Sequence, residues 1–144
     1  IVEEGKLLVQ VVGVQQSNNE DDNVNYQSIM IRIVYEDVAY MFTGDAGYRE
    51  GDCENIALNS GLKLKSNVLK VGHHGSITSS SKEFIERTSP KIALISVGNR
   101  FTSIPGKEVL KRFSSIYTKV YRTDENGEIK VKIDENAIKV ETIY

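Results

Sequence analysis

Apolar residues fall in short blocks whose spacing alternates between the strand and helix periods. Leu7 to Val14 is an apolar, β-branched run that suits a buried strand. Ser28 to Tyr35 and Val38 to Phe42 are two further strands, separated by Glu36-Asp37 at the spacing of a tight hairpin, though without the glycine that such turns prefer. Gln15 to Asn25 is polar, acidic and aperiodic, which predicts a loop. Asp52 to Leu62 places Ile56, Leu58 and Leu62 on one helical stripe and ends near Gly61, a C-cap position. Asn67 to Val71 is a short strand. Ser80 and Glu83 stand in the relation of a capping box, so a helix is expected from Lys82 to about Thr88, stopped by Pro90. Lys91 to Val97 is apolar on both faces, the pattern of a strand covered by helices, and Gly98-Asn99-Arg100 follows as a rim loop. Lys107 to Phe113 aligns Val109, Leu110 and Phe113 on a further helix. Lys119 to Tyr121, Glu128 to Ile133 and Ala137 to Ile143 then predict three strands in an antiparallel meander. They are joined through two Asp-Glu-Asn segments read as turn chemistry.

Strands alternating with helices before a β-meander give an α/β (or α+β) fold with a mixed sheet. The 144 residues suit a single unit able to bury its own core, and a net charge of −2 gives no electrostatic footprint for nucleic acid. No apolar run approaches the roughly 20 residues of a membrane span, and no secretory leader precedes the first strand. The single Cys53 excludes an internal disulfide, and its place between Asp52 and Glu54 disfavours a reactive thiolate. A chain that opens on Ile1 and runs at once into a strand reads as a piece of a longer product.

The chemistry concentrates at two strand ends. Both histidines of the chain lie in Val71-Gly72-His73-His74-Gly75-Ser76, about one helix downstream of Phe42-Thr43-Gly44-Asp45. Imidazole nitrogen with carboxylate oxygen is the donor set of zinc and its neighbours, and glycines keep such loops open. On these grounds Asp45, His73 and His74 are the candidate metal ligands. If the backbone there is extended, adjacent histidines point in opposite directions, so one of them, His74 before His73, reaches a given ion. Asp45 has a plainer alternative as a helix N-cap. Gly75, Ser76 and Ser80 could present N–H or hydroxyl groups to an anion, at or beside the start of the following helix, with plain N-capping by Ser80 as the alternative. Ser76 beside a histidine lacks an orienting carboxylate and is not read as a nucleophile. Lys70, Lys82, Arg100 and Lys107 suit a solvated face better than a phosphate track.

Five segments in order resemble a known family: Asn25 to Ala46, Leu69 to Ser76, Thr78 to Glu86, Ile95 to Asn99 and Val120 to Ile129. The chain is similar over nearly its whole length to the C-terminal half of a metallo-β-lactamase-fold domain of the ComEC type. The resemblance implies half of a four-layer αββα sandwich, one or two divalent ions, zinc or manganese, in the cleft between halves, and hydrolysis of a phosphodiester, DNA in this branch, by metal-bound hydroxide. It puts Asp45 in the place of the bridging aspartate and matches His73 and His74 to the family's His-His-Gly-Ser. The family's His-x-His-x-Asp-His motif belongs to the N-terminal half and does not occur here, so this chain alone is expected to be inactive. Its expected partner is that missing half or a second copy of the chain. The family's Gly-His-Pro after Ser-Val-Gly-Asn is also replaced, by Phe101-Thr102-Ser103-Ile104-Pro105. A degenerate, non-catalytic binding module of the same fold is therefore the alternative.

Overall fold

The computed structural model describes residues 1–14, 28–100, 102–134 and 137–144, without side chains for residues 2–4. The predicted loop at Gln15 to Asn25 and part of the second Asp-Glu-Asn segment lie outside the described residues. Nine strands and four helices follow in chain order among the described residues: β1 (Val2–Glu4), β2 (Leu7–Val14), β3 (Ile29–Tyr35), β4 (Val38–Phe42), α1 (Cys53–Asn59), β5 (Val68–Lys70), α2 (Lys82–Thr88), β6 (Ile92–Ile95), α3 (Lys107–Ser115), β7 (Lys119–Arg122), α4 (Thr123–Asn126), β8 (Glu128–Asp134) and β9 (Ala137–Ile143). A tight 3-10 turn covers Gly72–Gly75 between β5 and α2.

The first seven strands make one sheet in sequence order, and β8 and β9 form a separate hairpin. β1 to β4 run antiparallel, with the two-residue turn Glu36-Asp37 joining β3 to β4 as its spacing predicts. β4 to β7 run parallel, each pair bridged by an intervening segment that carries a helix. This is the α/β class with a mixed sheet, but the three-strand C-terminal meander is not formed. The segment at Lys119–Arg122 pairs with β6 in parallel register instead, Ala93 against Val120. The apolar face of α3, Val109 and Phe113, buries itself on the sheet and so carries the chain back to start β7 alongside β6.

The register fixes two unlike faces. Met41, Leu69, Ala93 and Val120 stand in one row across β4 to β7. Against that side pack Cys53 and Ala57 of α1, Phe84 and Ile85 of α2, and Val109 and Phe113 of α3. The opposite face carries Val9, Ile33 and Tyr40 in one row and Val11, Ile31 and Phe42 in the next. It stays open enough to leave Val11 48% and Phe42 44% exposed. Such a contiguous apolar surface marks a place where another element packs.

Local signals account for the helix ends, with one shift. The cap of α2 is Ser81, whose side chain accepts the Phe84 N–H, so Ser80 is not the capping residue. Ser80 takes a left-handed conformation (φ 56) and turns inward. Ser81→Ala is expected to lower stability by about 1 kcal/mol in urea unfolding, the usual loss for a capping hydroxyl. α1 ends at Asn59, and Gly61 follows its cap with φ 71, as glycine past a helix end does.

Candidate functional site

Parallel pairing brings the carboxyl ends of β4, β5 and β6 to one edge of the sheet, where open α/β sheets place their ligand sites. The loop after β4 delivers Asp45, the turn after β5 delivers the two histidines, and the chain leaving β6 delivers the Ser96 carbonyl. Asp45 is not a helix cap, because α1 starts only at Cys53 with Asp52 at the cap position. The Asp45 backbone N–H donates to Ser28 Oγ at 3.1 Å. Asp45 Oδ1 lies 3.7 Å from His74 Nε2, with both side chains about two-fifths exposed.

The histidine pair is not extended. His73 and His74 both sit in the left-handed region, with φ of 45 and 53. Consecutive non-glycine residues in this region cost on the order of 1–3 kcal/mol each, and they persist only where surroundings hold them. Here the His73 N–H donates to Gly44 O at 3.2 Å, and the Ser76 N–H closes the turn on His73 O at 2.8 Å. Gly72 permits the approach: a Cβ there would stand 3.0 Å from Ala46 O and 3.2 Å from Thr43 Oγ1.

His74 Nδ1 lies 2.5 Å from Ser96 O. A carbonyl can only accept, so Nδ1 carries a proton and the neutral ring turns its Nε2 lone pair toward Asp45. Asp45 Oδ1 and His74 Nε2 thus face each other at 3.7 Å across the mouth of the sheet. That donor set fits a divalent ion of the zinc or manganese kind. Among the described residues no three His, Cys, Asp or Glu side chains gather as a group able to hold a metal ion, so Asp45 and His74 do not by themselves make a metal site. His73 turns elsewhere: its Nδ1 is 3.5 Å from Thr78 Oγ1.

The anion candidates separate. Ser76 is half-buried and its Oγ pairs with Thr78 Oγ1 at 3.0 Å. Gly75 is buried against Pro105, where a Cβ would come within 2.7 Å, and its carbonyl accepts the Gly106 N–H. Ser80 is only 1% exposed and its N–H is committed to Glu54, so in this arrangement it offers nothing to a substrate.

Two groups had no signal in the residue pattern. The Ser96 carbonyl is backbone, and only the pairing of β5 with β6 brings it to His74. Lys70 reads as one solvated lysine among several, yet its Nζ lies 3.4 Å from Gly44 O beside the Asp45 loop. Burial pushes its pKa down, and the Asp45 carboxylate pulls it partly back. Next to the site, His74, Ser96, Val97, Gly98, Ile104 and Thr123 line a shallow pocket of about 200 Å³.

An α/β sheet with a carboxylate and an imidazole converging at its carboxyl edge defines the class of arrangement. The chain is 35% identical to ComE operon protein 3 of Bacillus subtilis over 122 residues, 83% of its own length. It is 33% identical over 130 residues to Competence protein ComA of Neisseria gonorrhoeae, and 28% identical over 102 residues to Recombination protein 2 of Haemophilus influenzae. It spans 15%, 18% and 12% of these three relatives, about a sixth of their length. No protein-family profile matches the chain. The chain is thus similar to a short segment of proteins named for competence and recombination. Among the described residues no helix is long and apolar enough to cross a membrane.

Proposed function

We propose that this chain is the C-terminal half of a metallo-β-lactamase-type, metal-dependent hydrolase domain that cleaves phosphodiesters, DNA above all, within a protein of DNA uptake. The observation that carries the reading is the Asp45 to His74 approach, with Nδ1 fixed by Ser96 and Nε2 turned to the carboxylate. The names of the relatives support the uptake role, and the open apolar face supports a second layer packed on the sheet.

In this reading Asp45 and His74 would hold one or two divalent ions, zinc or manganese, while His73, turned toward Thr78, would not reach them directly. When bound, the ion supplies a Lewis acid for the scissile phosphate and lowers the pKa of water. The chain's own residues do the rest. The Ser96 carbonyl holds the His74 tautomer, the Lys70 ammonium offsets part of the local negative charge, and the Ser76 hydroxyl borders the phosphate. The remaining ligands come from the N-terminal half of the domain or from another copy of the chain, seated on the open face.

The isolated chain should therefore bind Zn²⁺ weakly, with the Asp45 and His74 resonances moving in a titration followed by NMR. Tight one-to-one binding by calorimetry, or no movement of those resonances, overturns the reading. The lack of a third donor among the described residues favours a second reading, a non-catalytic binding module that keeps the fold. Metal content and nuclease activity of the full-length protein separate the two.

A further inference from the structure

Behind the site, and outside it, lies a buried carboxylate that the proposed chemistry does not use. Glu54, in the first turn of α1, is 0% exposed. Its two oxygens accept consecutive backbone N–H groups, Ser80 on Oε1 at 2.5 Å and Ser81 on Oε2 at 3.0 Å. Its own N–H donates to Gly47 O, and the Tyr48 N–H donates to Thr78 O. Arg112 of α3 closes the arrangement by donating from Nη1 to Ser80 O at 2.9 Å, and it is the charged side chain acting on Glu54. The two carboxylate bonds and the Tyr48–Thr78 bond join the segment that carries Asp45 to the segment that follows the histidines, the Glu54–Gly47 bond braces the first segment, and Arg112 ties the second to α3. From the second segment the connection continues through the Thr78 hydroxyl to His73.

We propose that Glu54 is a positioning residue: its ionised carboxylate clamps the histidine-bearing loop onto the Asp45-bearing loop and so sets the spacing of the candidate ligands. A carboxylate is an acceptor at both oxygens, which is what two facing N–H donors require. The protonated acid, or an amide in its place, turns a donor against one of them. The same pattern explains how Ser80, a non-glycine residue at φ 56, stays left-handed. Burial drives the Glu54 pKa up to about 7 against the lowering effect of the Ser80 and Ser81 N–H groups and Arg112, so the clamp releases its charge near neutrality.

This inference rests on the metal reading of Asp45 and His74, and the test separates the two. Zn²⁺ titrations of wild type and Glu54→Gln, followed in ¹H–¹⁵N spectra from pH 5.5 to 8.5, should show about tenfold weaker binding for the variant at pH 8, the scale of a lost supporting contact. The deficit should vanish below pH 6, where the wild-type carboxyl is itself protonated. A deficit of equal size at every pH means a merely structural role and overturns the clamp, as does no deficit. If neither protein binds zinc, the metal reading fails and the clamp is judged on backbone amides alone. Those of residues 44–46 and 72–75 should then shift together with Ser80 and Ser81 on passing from wild type to Glu54→Gln, and unmoved 44–46 amides overturn it. Should Glu54→Gln not fold, a pH titration of a His73→Ala/His74→Ala chain, which lacks every imidazole, supplies the same amide comparison.

Discussion

Asp45→Ala in the full-length protein is expected to reduce metal-dependent phosphodiester cleavage by at least about a hundredfold, with circular dichroism and the unfolding midpoint nearly unchanged. The size follows from the proposed role, in which the carboxylate facing His74 would supply the negative charge that holds an ion there. The small effect on stability follows from the site's exposure, since Asp45 is about two-fifths exposed and its backbone anchor to Ser28 survives the substitution. Asp45→Asn keeps the shape and should lose nearly as much, because the charge, and not the volume, is what the ion requires. Full activity in Asp45→Ala would remove this residue from the chemistry.

The next largest effect concerns stability and pH. Glu54 is an acid whose pKa rises from an ordinary 4.5 to about 7 in the folded chain, first through burial. Between those values the folded protein binds more protons than the unfolded one, so stability falls as pH rises. The contribution is fully present below pH 4.5 and lost as pH passes 7. At about 1.4 kcal/mol per unit, the span amounts to on the order of 3 kcal/mol. The difference between wild type and Glu54→Gln in urea unfolding should carry this slope, with wild type losing ground to the variant from pH 5 to 8. A flat difference would show that Glu54 does not titrate in that window.

Most elements were legible because their signals are local. β2, β4, α2 and β9 fall on the boundaries that their apolar runs and breakers predict. The strand at Lys119–Arg122 was readable as a strand but not as the partner of β6, because pairing depends on where α3 packs and not on residues 119–122. β1 is a three-residue edge strand, too short for its pattern to register. At the site, residue types pointed to Asp45 and the histidine pair, while the conformation of that pair did not show: left-handed backbone at two histidines in a row is imposed by Gly44 and Ser76. Glu54 looked like the polar side of a helix, since its partners are amides 26 and 27 residues away.

The left-handed turn at His73 and His74 bears on how such a site could decay. Backbone of this kind is best tolerated by glycine, asparagine, aspartate and histidine. Drift from histidine to asparagine would delete an imidazole with little penalty to folding. The fold and the imidazole are thus separable at this turn: the backbone shape would survive a substitution that removes the proposed ligand.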